Sequence, residues 1–288
     1  VASKLLILSP YLSDRATLTP SSELASEGLP ATNAQDQEPA RLWRTQNGDT
    51  VNQYVNIEFA DAFVADCAAF TFMHDDWSAS AQWKVQVFAS QANMIAGTSP
   101  VADTGYISIW PSSGKHAEFD WGLDVALISW SYATPQKYYR VWFTDPSAPN
   151  PNLDICRIAL GAAVKFVVNP KHDGSLGFVQ NDVQEPNGYG QTFTDERPYA
   201  QRRFELVWTA IGENSLNQDV LQLARLSGQA RDFYVFKEPD ATTDFHIHSM
   251  QALYEGSHKF SPVMMYVPDK TGVMSKGYTF STSMIQKL

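Results

Sequence analysis

Hydrophobic and polar positions alternate most clearly between Gln53 and Ser90. There three apolar runs, Tyr54–Phe59, Cys67–Met73 and Trp83–Phe88, each predict a strand. In the first, Val55, Ile57 and Phe59 point one way and Asn56 and Glu58 the other. In the third, Trp83, Val85 and Val87 oppose Lys84 and Gln86. The middle run is apolar almost throughout, as a strand inside a sandwich would be. A polar loop, His74-Asp75-Asp76-Trp77-Ser78-Ala79-Ser80, joins the second run to the third. With two such short connections, one antiparallel sheet containing all three strands is the simplest expectation.

Further strands are predicted at Tyr106–Pro111, Val125–Trp130, Lys137–Phe143 and Ile155–Leu160. The Pro-rich stretch Asp145-Pro146-Ser147-Ala148-Pro149-Asn150-Pro151-Asn152 is a stiff loop and no strand interior. Residues 1–50 read as extended and loop-like. A core of Val55, Ile57, Phe70, Phe72, Val85, Val87, Tyr139, Val141 and Ile158 follows from the alternation. After Gly161 come short strands, with turns at Lys171–Gly174 and Asn187–Gly190. Strands at Arg202–Trp208 and Asp232–Phe236 flank one helix over Asn217–Leu226, with Leu216, Val220 and Leu223 on its inward side and Gly228 beyond its end.

Composition narrows the class. The 288 residues, 44% hydrophobic and 18% charged, describe a folded chain with a sizeable core. A net charge of −10 disfavours nucleic acid as a partner. No apolar run approaches the roughly 20 residues of a membrane span. Leu5–Leu8 is too short for a signal-peptide core, so folding in a cytoplasm is expected. Cys67 and Cys156 lie in hydrophobic runs and read as buried free thiols.

Two resemblances organise these elements. Pro30–Asp36, then Leu42-Trp43-Arg44-Thr45 and the strand Tyr54–Phe59, resemble the discoidin-like (galactose-binding-like) sandwich family, with Phe59-Ala60 where that family has Leu-Gly. Lys137–Phe143 and Ile155–Leu160 look like its later strands. The C-terminal order, from Arg202–Trp208 through the helix to Asp232–Asp240 and Leu253–Gly256, resembles tail-tip proteins of long-tailed bacteriophages, with the distal tail protein as nearest member. The two together imply a mainly β chain: a discoidin-like sandwich over residues 1–162, then a tail-tube-type split β-barrel with one packing helix over 163–288. They imply a structural virion protein, assembled in the host cytoplasm, forming a ring with copies of itself and contacting the tail tube and other baseplate proteins. The alternative is a carbohydrate-binding module that reads host or surface glycans.

Candidate chemistry is sparse. No GxSxG, GxxxxGK[ST] or HExxH motif is present, so no catalysis and no cofactor are expected. Asp173, Asp182, Glu185, Asp195 and Glu196 offer carboxylates that a glycosidase uses in pairs, but carboxylates in turns are ordinary decoration of an acidic β protein. His246 and His248 can chelate a metal with His258 or Asp244, and His74-Asp75-Asp76 can hold calcium. Both read more simply as solvated segments, so no metal is expected. Trp77, Tyr106, Trp110 and Trp121, in or beside loops, are the candidate glycan or interface aromatics.

Overall fold

The computed structural model describes residues 5–116, 122–166, 176–179, 183–186, 192–195, 201–212, 231–239, 245–246, 249–268 and 274–286. Strands β1 (Leu6–Leu8), β2 (Thr17–Pro20), β3 (Trp43–Arg44), β4 (Gln53–Phe63), β5 (Cys67–Met73) and β6 (Gln82–Phe88) precede a short helix, α1 (Gln91–Ala96). After it come β7 (Ala102–Asp103), β8 (Ile107–Ser108), β9 (Leu123–Ser129), β10 (Gln136–Thr144), β11 (Asp154–Ile155), β12 (Arg157–Gly161) and β13 (Val164–Lys165). The C-terminal part supplies β14 (Leu176–Val179), β15 (Val183–Pro186), β16 (Thr192–Asp195), β17 (Gln201–Gly212), β18 (Phe233–Phe236), β19 (Ser249–Pro268) and β20 (Met274–Gln286). The chain is mainly β, and its N-terminal part is a β-sandwich.

One layer of the sandwich has the order β2-β4-β10-β6-β7, with β8 also on β6. The other has the order β12-β5-β9. All nine expected core residues lie buried between these layers. The single-sheet expectation for the first three strands is corrected. β10 stands between β4 and β6, while β5 crosses to the opposite layer. The reason lies in β5 itself, which is apolar on both faces and therefore needs cover on both. Ala68, Phe70 and Phe72 enter the sandwich core, whereas Cys67 and Ala69 join a second core with Leu6, Leu8, Tyr234 and Phe236.

That second core is closed by a seven-stranded antiparallel sheet of order β13-β1-β18-β19-β20-β17-β14. β1 pairs with both β13 and β18, so the N-terminal strand runs in the sheet built mostly from the C-terminal part. Alternation then sorts its neighbours. Tyr234 and Phe236 face the sandwich, while Phe233 and Val235 face a third core with Phe204, Trp208, Met250 and Phe280. Three cores thus lie separated by two sheets. Each fully buried Phe or Trp contributes about 1.5–3 kcal/mol or more through removal from water.

α1 lies on the outer face of the first layer and was not foreseen. Ser90 caps it, its side chain accepting from Asn93 N, and Gly97 ends it at φ 67°. The expected helix over 217–226 lies outside the described residues. Both cysteines are free and buried, and burial pushes the Cys67 thiol well up and that of Cys156 to about 12. Among the described residues no helix is long and apolar enough to cross a membrane.

Candidate functional site

β3 and β11 pair at one end of the sandwich, Asp154 opposite Arg44, and carry the segments that enclose a cleft of about 690 Å³. The Pro-rich loop folds back beside β3 through Gly48 N–H to Pro151 O at 2.6 Å and Thr45 N–H to Leu153 O at 3.1 Å. Pro39, Ala40 and Leu42 line the cleft from the approach to β3. Met73 and Asp76 line it from the end of β5 and the turn after it, and Gly122 and Leu123 from the start of β9.

Its polar groups are fixed by one another. Arg44 donates from Nε and Nη2 to the two carboxylate oxygens of Asp154, at 2.7 and 2.6 Å. That bidentate hydrogen bonding raises the guanidinium pKa. Trp77 Nε1 donates to the Asp154 carbonyl at 3.2 Å. Asn150 Nδ2 donates to Asp76 Oδ1 at 2.9 Å, yet burial first, and the nearby Asp154 charge second, hold the Asp76 carboxyl above its ordinary range. Asn47 and Asn152 complete the rim, and their side-chain amides hydrogen-bond to no described protein group. Carboxylate, amide and guanidinium groups beside an apolar wall of Leu42, Met73, Leu123 and Pro151 suit a small hydroxyl-rich ligand: hydroxyls bond the polar groups and C–H faces pack on the wall.

The candidate aromatics are placed elsewhere, and two are corrected. Trp77 is fully buried against Phe70 and Phe72, and Trp110 packs edge-on to Phe72 while its Nε1 donates to Ser78 O at 2.7 Å. Their loops fold back over the end of the core, so both indoles fill it and neither can stack on a sugar. Tyr106 is 36% exposed, with its hydroxyl on Asn52 Oδ1 and the Lys84 ammonium over its ring. Trp121 lies outside the described residues. Among the described residues the cleft carries no aromatic lining, and sequence spacing could not have found it: Arg44 and Asp154 are 110 positions apart. The one local hint is the Asn/Pro alternation of residues 149–152.

A second polar cluster sits at the same end. His74 Nδ1 is 2.6 Å from Asp124 Oδ2, and His116 Nε2 is 3.3 Å from Asp124 Oδ1. Burial pushes the Asp124 carboxyl up, but hydrogen bonds from His116 and His74 outweigh it and bring the value down to about 2. Of the other candidates, His246 is buried, its ring stacked on His116 at 3.8 Å. Asp244, His248, Asp173, Asp182 and Glu196 lie outside the described residues, as do the side chains of His258, Glu185 and Asp195.

No family model matches the chain, and no curated relative does. Solved structures are similar to its N-terminal half. The family 32 carbohydrate-binding module of Clostridium perfringens NanJ, in complex with galactose, is 13% identical, with 54% of this chain and 98% of that one covered at a TM-score of 0.37. A chitosan-binding module from a Paenibacillus chitosanase/glucanase is 17% identical, over 52% and 96%, at 0.34. The lectin domain of lectinolysin, complexed with Lewis B antigen, is 12% identical, over 52% and 96%, at 0.35. These scores are too low to carry a ligand across, and the sandwich stands on its own strand pairing.

Proposed function

We propose that the chain is a non-catalytic glycan-binding protein whose ligand sits in the cleft between β3, β11 and the turn after β5. The cleft itself supports this reading. Asp76, Asn150, Asn152 and the Arg44–Asp154 pair converge on one space beside an apolar wall, Arg44 and Asp154 from paired strands and the others from the short turn after β5 and the Pro-rich loop. Because Arg44 is already held by Asp154, the groups facing a ligand are acceptors and amides, which match the hydroxyls of a neutral sugar. The test is a glycan array followed by titration calorimetry on the hits, comparing the wild type with Asn150→Ala. Binding that weakens about tenfold or more, with the thermal midpoint nearly unchanged, supports the site. An array without hits, or hits indifferent to Asn150→Ala, would overturn it.

A second reading rests on a different observation. Among the described residues, β18 pairs with residues 249–252 of β19, and from residue 255 onward β19 hydrogen-bonds to β20 with no described strand on its other edge. An open edge that long is a hazard for a lone molecule and a natural contact for another copy. This favours an assembly role, as in a ring at a phage tail tip, bound to tail tube and baseplate proteins in a virion. The two readings are compatible, since a ring subunit can present a glycan-binding sandwich outward.

A further inference from the structure

We propose that His74, His116 and Asp124 form a binding site for a divalent transition-metal ion of the zinc class. The three come from different segments: His74 directly follows β5, His116 precedes β9, and Asp124 is the second residue of β9. One ligand atom from each lies within 4.8 Å of the others, and the side chains are 5%, 10% and 5% exposed respectively. A tetrahedral zinc ion bound at about 2.0–2.2 Å places its ligand atoms roughly 3.3–3.6 Å apart. To reach that spacing the His74 Nδ1–Asp124 Oδ2 pair, now hydrogen-bonded at 2.6 Å, must open by about 0.7–1 Å and the widest pair must close by about as much.

The donor types select the ion. Two imidazole nitrogens and one carboxylate suit zinc or cobalt, while calcium prefers six or more oxygen ligands. Three protein ligands leave a fourth position open. The surroundings hold the ligands in place. Lys115 Nζ donates to His74 O at 3.0 Å and to Trp77 O at 2.7 Å, which ties the His116 segment to the His74 turn. The Trp110 ring lies 5.2 Å from that of His74 and 5.9 Å from that of His116. Two cationic groups oppose the ion, the Lys115 ammonium just described and Arg202. The buried Arg202 guanidinium, bonded to the carbonyls of His246 and Ser249, interacts electrostatically with Asp124. The affinity should accordingly fall below that of a closed four-ligand structural site.

The competing account is a hydrogen-bonded His–Asp–His network that takes no ion. The full chain, stripped with chelator, would be titrated with Co(II) and separately with Zn(II). One equivalent of Co(II) developing the intense visible bands of a low-coordinate nitrogen/oxygen site, displaced by Zn(II), is the expected result. Asp124→Asn and His116→Gln should each weaken binding by about tenfold or more. Should a variant fail to fold, the imidazole resonances of the wild type decide: those of His74 and His116 must shift on adding Zn(II). No cobalt spectrum, binding unchanged in both folded variants, or zinc shifting only other histidines would overturn the proposal.

Discussion

Arg157 and Asp232 meet in a bidentate pair, Nε to Oδ2 and Nη2 to Oδ1 both at 2.9 Å, with the side chains 0% and 1% exposed. Arg157 belongs to the β12-β5-β9 layer of the sandwich, whereas Asp232 directly precedes β18 of the seven-stranded sheet. The pair is extended on both sides. Asp14 accepts from Nη1 and Nη2 of Arg157, and Gln251 donates to Asp232 while accepting from Thr71. The two units are therefore joined by buried polar bonds as well as by apolar packing.

Removing one partner leaves the other charge buried and unpaired. Asp232→Asn should cost about 3–5 kcal/mol, by the usual penalty for breaking a buried pair. Urea unfolding measures it, and a loss below 1 kcal/mol would mean that water reaches Arg157.

Asp14→Asn should cost much less than Asp232→Asn. The Asp14 carboxyl is pushed above 3.8 by burial, which the Arg157 hydrogen bonds only partly offset. A carboxyl whose folded pKa exceeds its unfolded one favours the folded state below the unfolded value and loses that advantage as pH rises through the folded value. The stability of Asp14→Asn should thus climb more steeply with pH just above pH 3.8 than that of the wild type. An identical slope in both would refute the assignment.

Gly97→Ala should destabilise by about 1–3 kcal/mol, from a strained backbone and a clash together. At φ 67° an added Cβ would stand 2.6 Å from Arg140 Nη1. That guanidinium cannot easily withdraw, being bonded to Asn56 Oδ1 and the Met94 carbonyl and stacked on Tyr54 at 3.9 Å. Melting curves of the variant test this, and an unchanged midpoint would show Arg140 to be mobile.

Much of the sandwich was legible because alternation is a local property. Val55, Ile57, Val85 and Val87 announce their inward face within a few residues. Pairing order is not local. Nothing near Tyr139 says that it sits between Ile57 and Val87, and β5 carries the same apolar signal whether its outer face meets solvent-shielding helices or another sheet. Trp77 and Trp110 misled because a polar loop around an aromatic looks exposed until the loop folds over the core. The cleft and the His74–His116–Asp124 cluster are assembled from distant segments, and the sequence holds no more of them than the Asn/Pro alternation of residues 149–152 and the His74 turn.

Asp76→Asn should trade binding for stability. Burial and the Asp154 charge both penalise the Asp76 carboxylate, so neutralising it should raise the thermal midpoint slightly at neutral pH. If Asp76 accepts a ligand hydroxyl, the same change should weaken glycan binding by about tenfold or more, matching the lower end of the roughly 1.5–3 kcal/mol of a hydrogen bond to a charged group. A variant that loses both stability and affinity would point to a structural role for the carboxylate instead.

The last prediction concerns the end of the β19–β20 hairpin. β17 supports β20 as far as Gly212 opposite Gly277, and among the described residues two strands continue beyond that point, from Val263 opposite Gly277 to Pro268 opposite Met274. A two-stranded ribbon is marginal in water unless something covers it. At about 3.4 Å per residue, the twenty residues of β19 extend for roughly 65–70 Å, far past the short β18 beside them. If the second reading holds, that cover is a neighbouring copy pairing along the open edge of β19. Replacing residues 264–276 with a two-residue turn should leave the thermal midpoint within a few degrees of the wild type, because the described third-core residues of β19 and β20, Met250, Ala252, Tyr254, Phe280 and Met284, all lie outside the replaced stretch. It should also convert an oligomer at micromolar concentration into a monomer by light scattering. A wild-type chain that is already monomeric there, or a shortened chain that still assembles, would place the assembly contacts elsewhere and leave glycan recognition as the function of the sandwich alone.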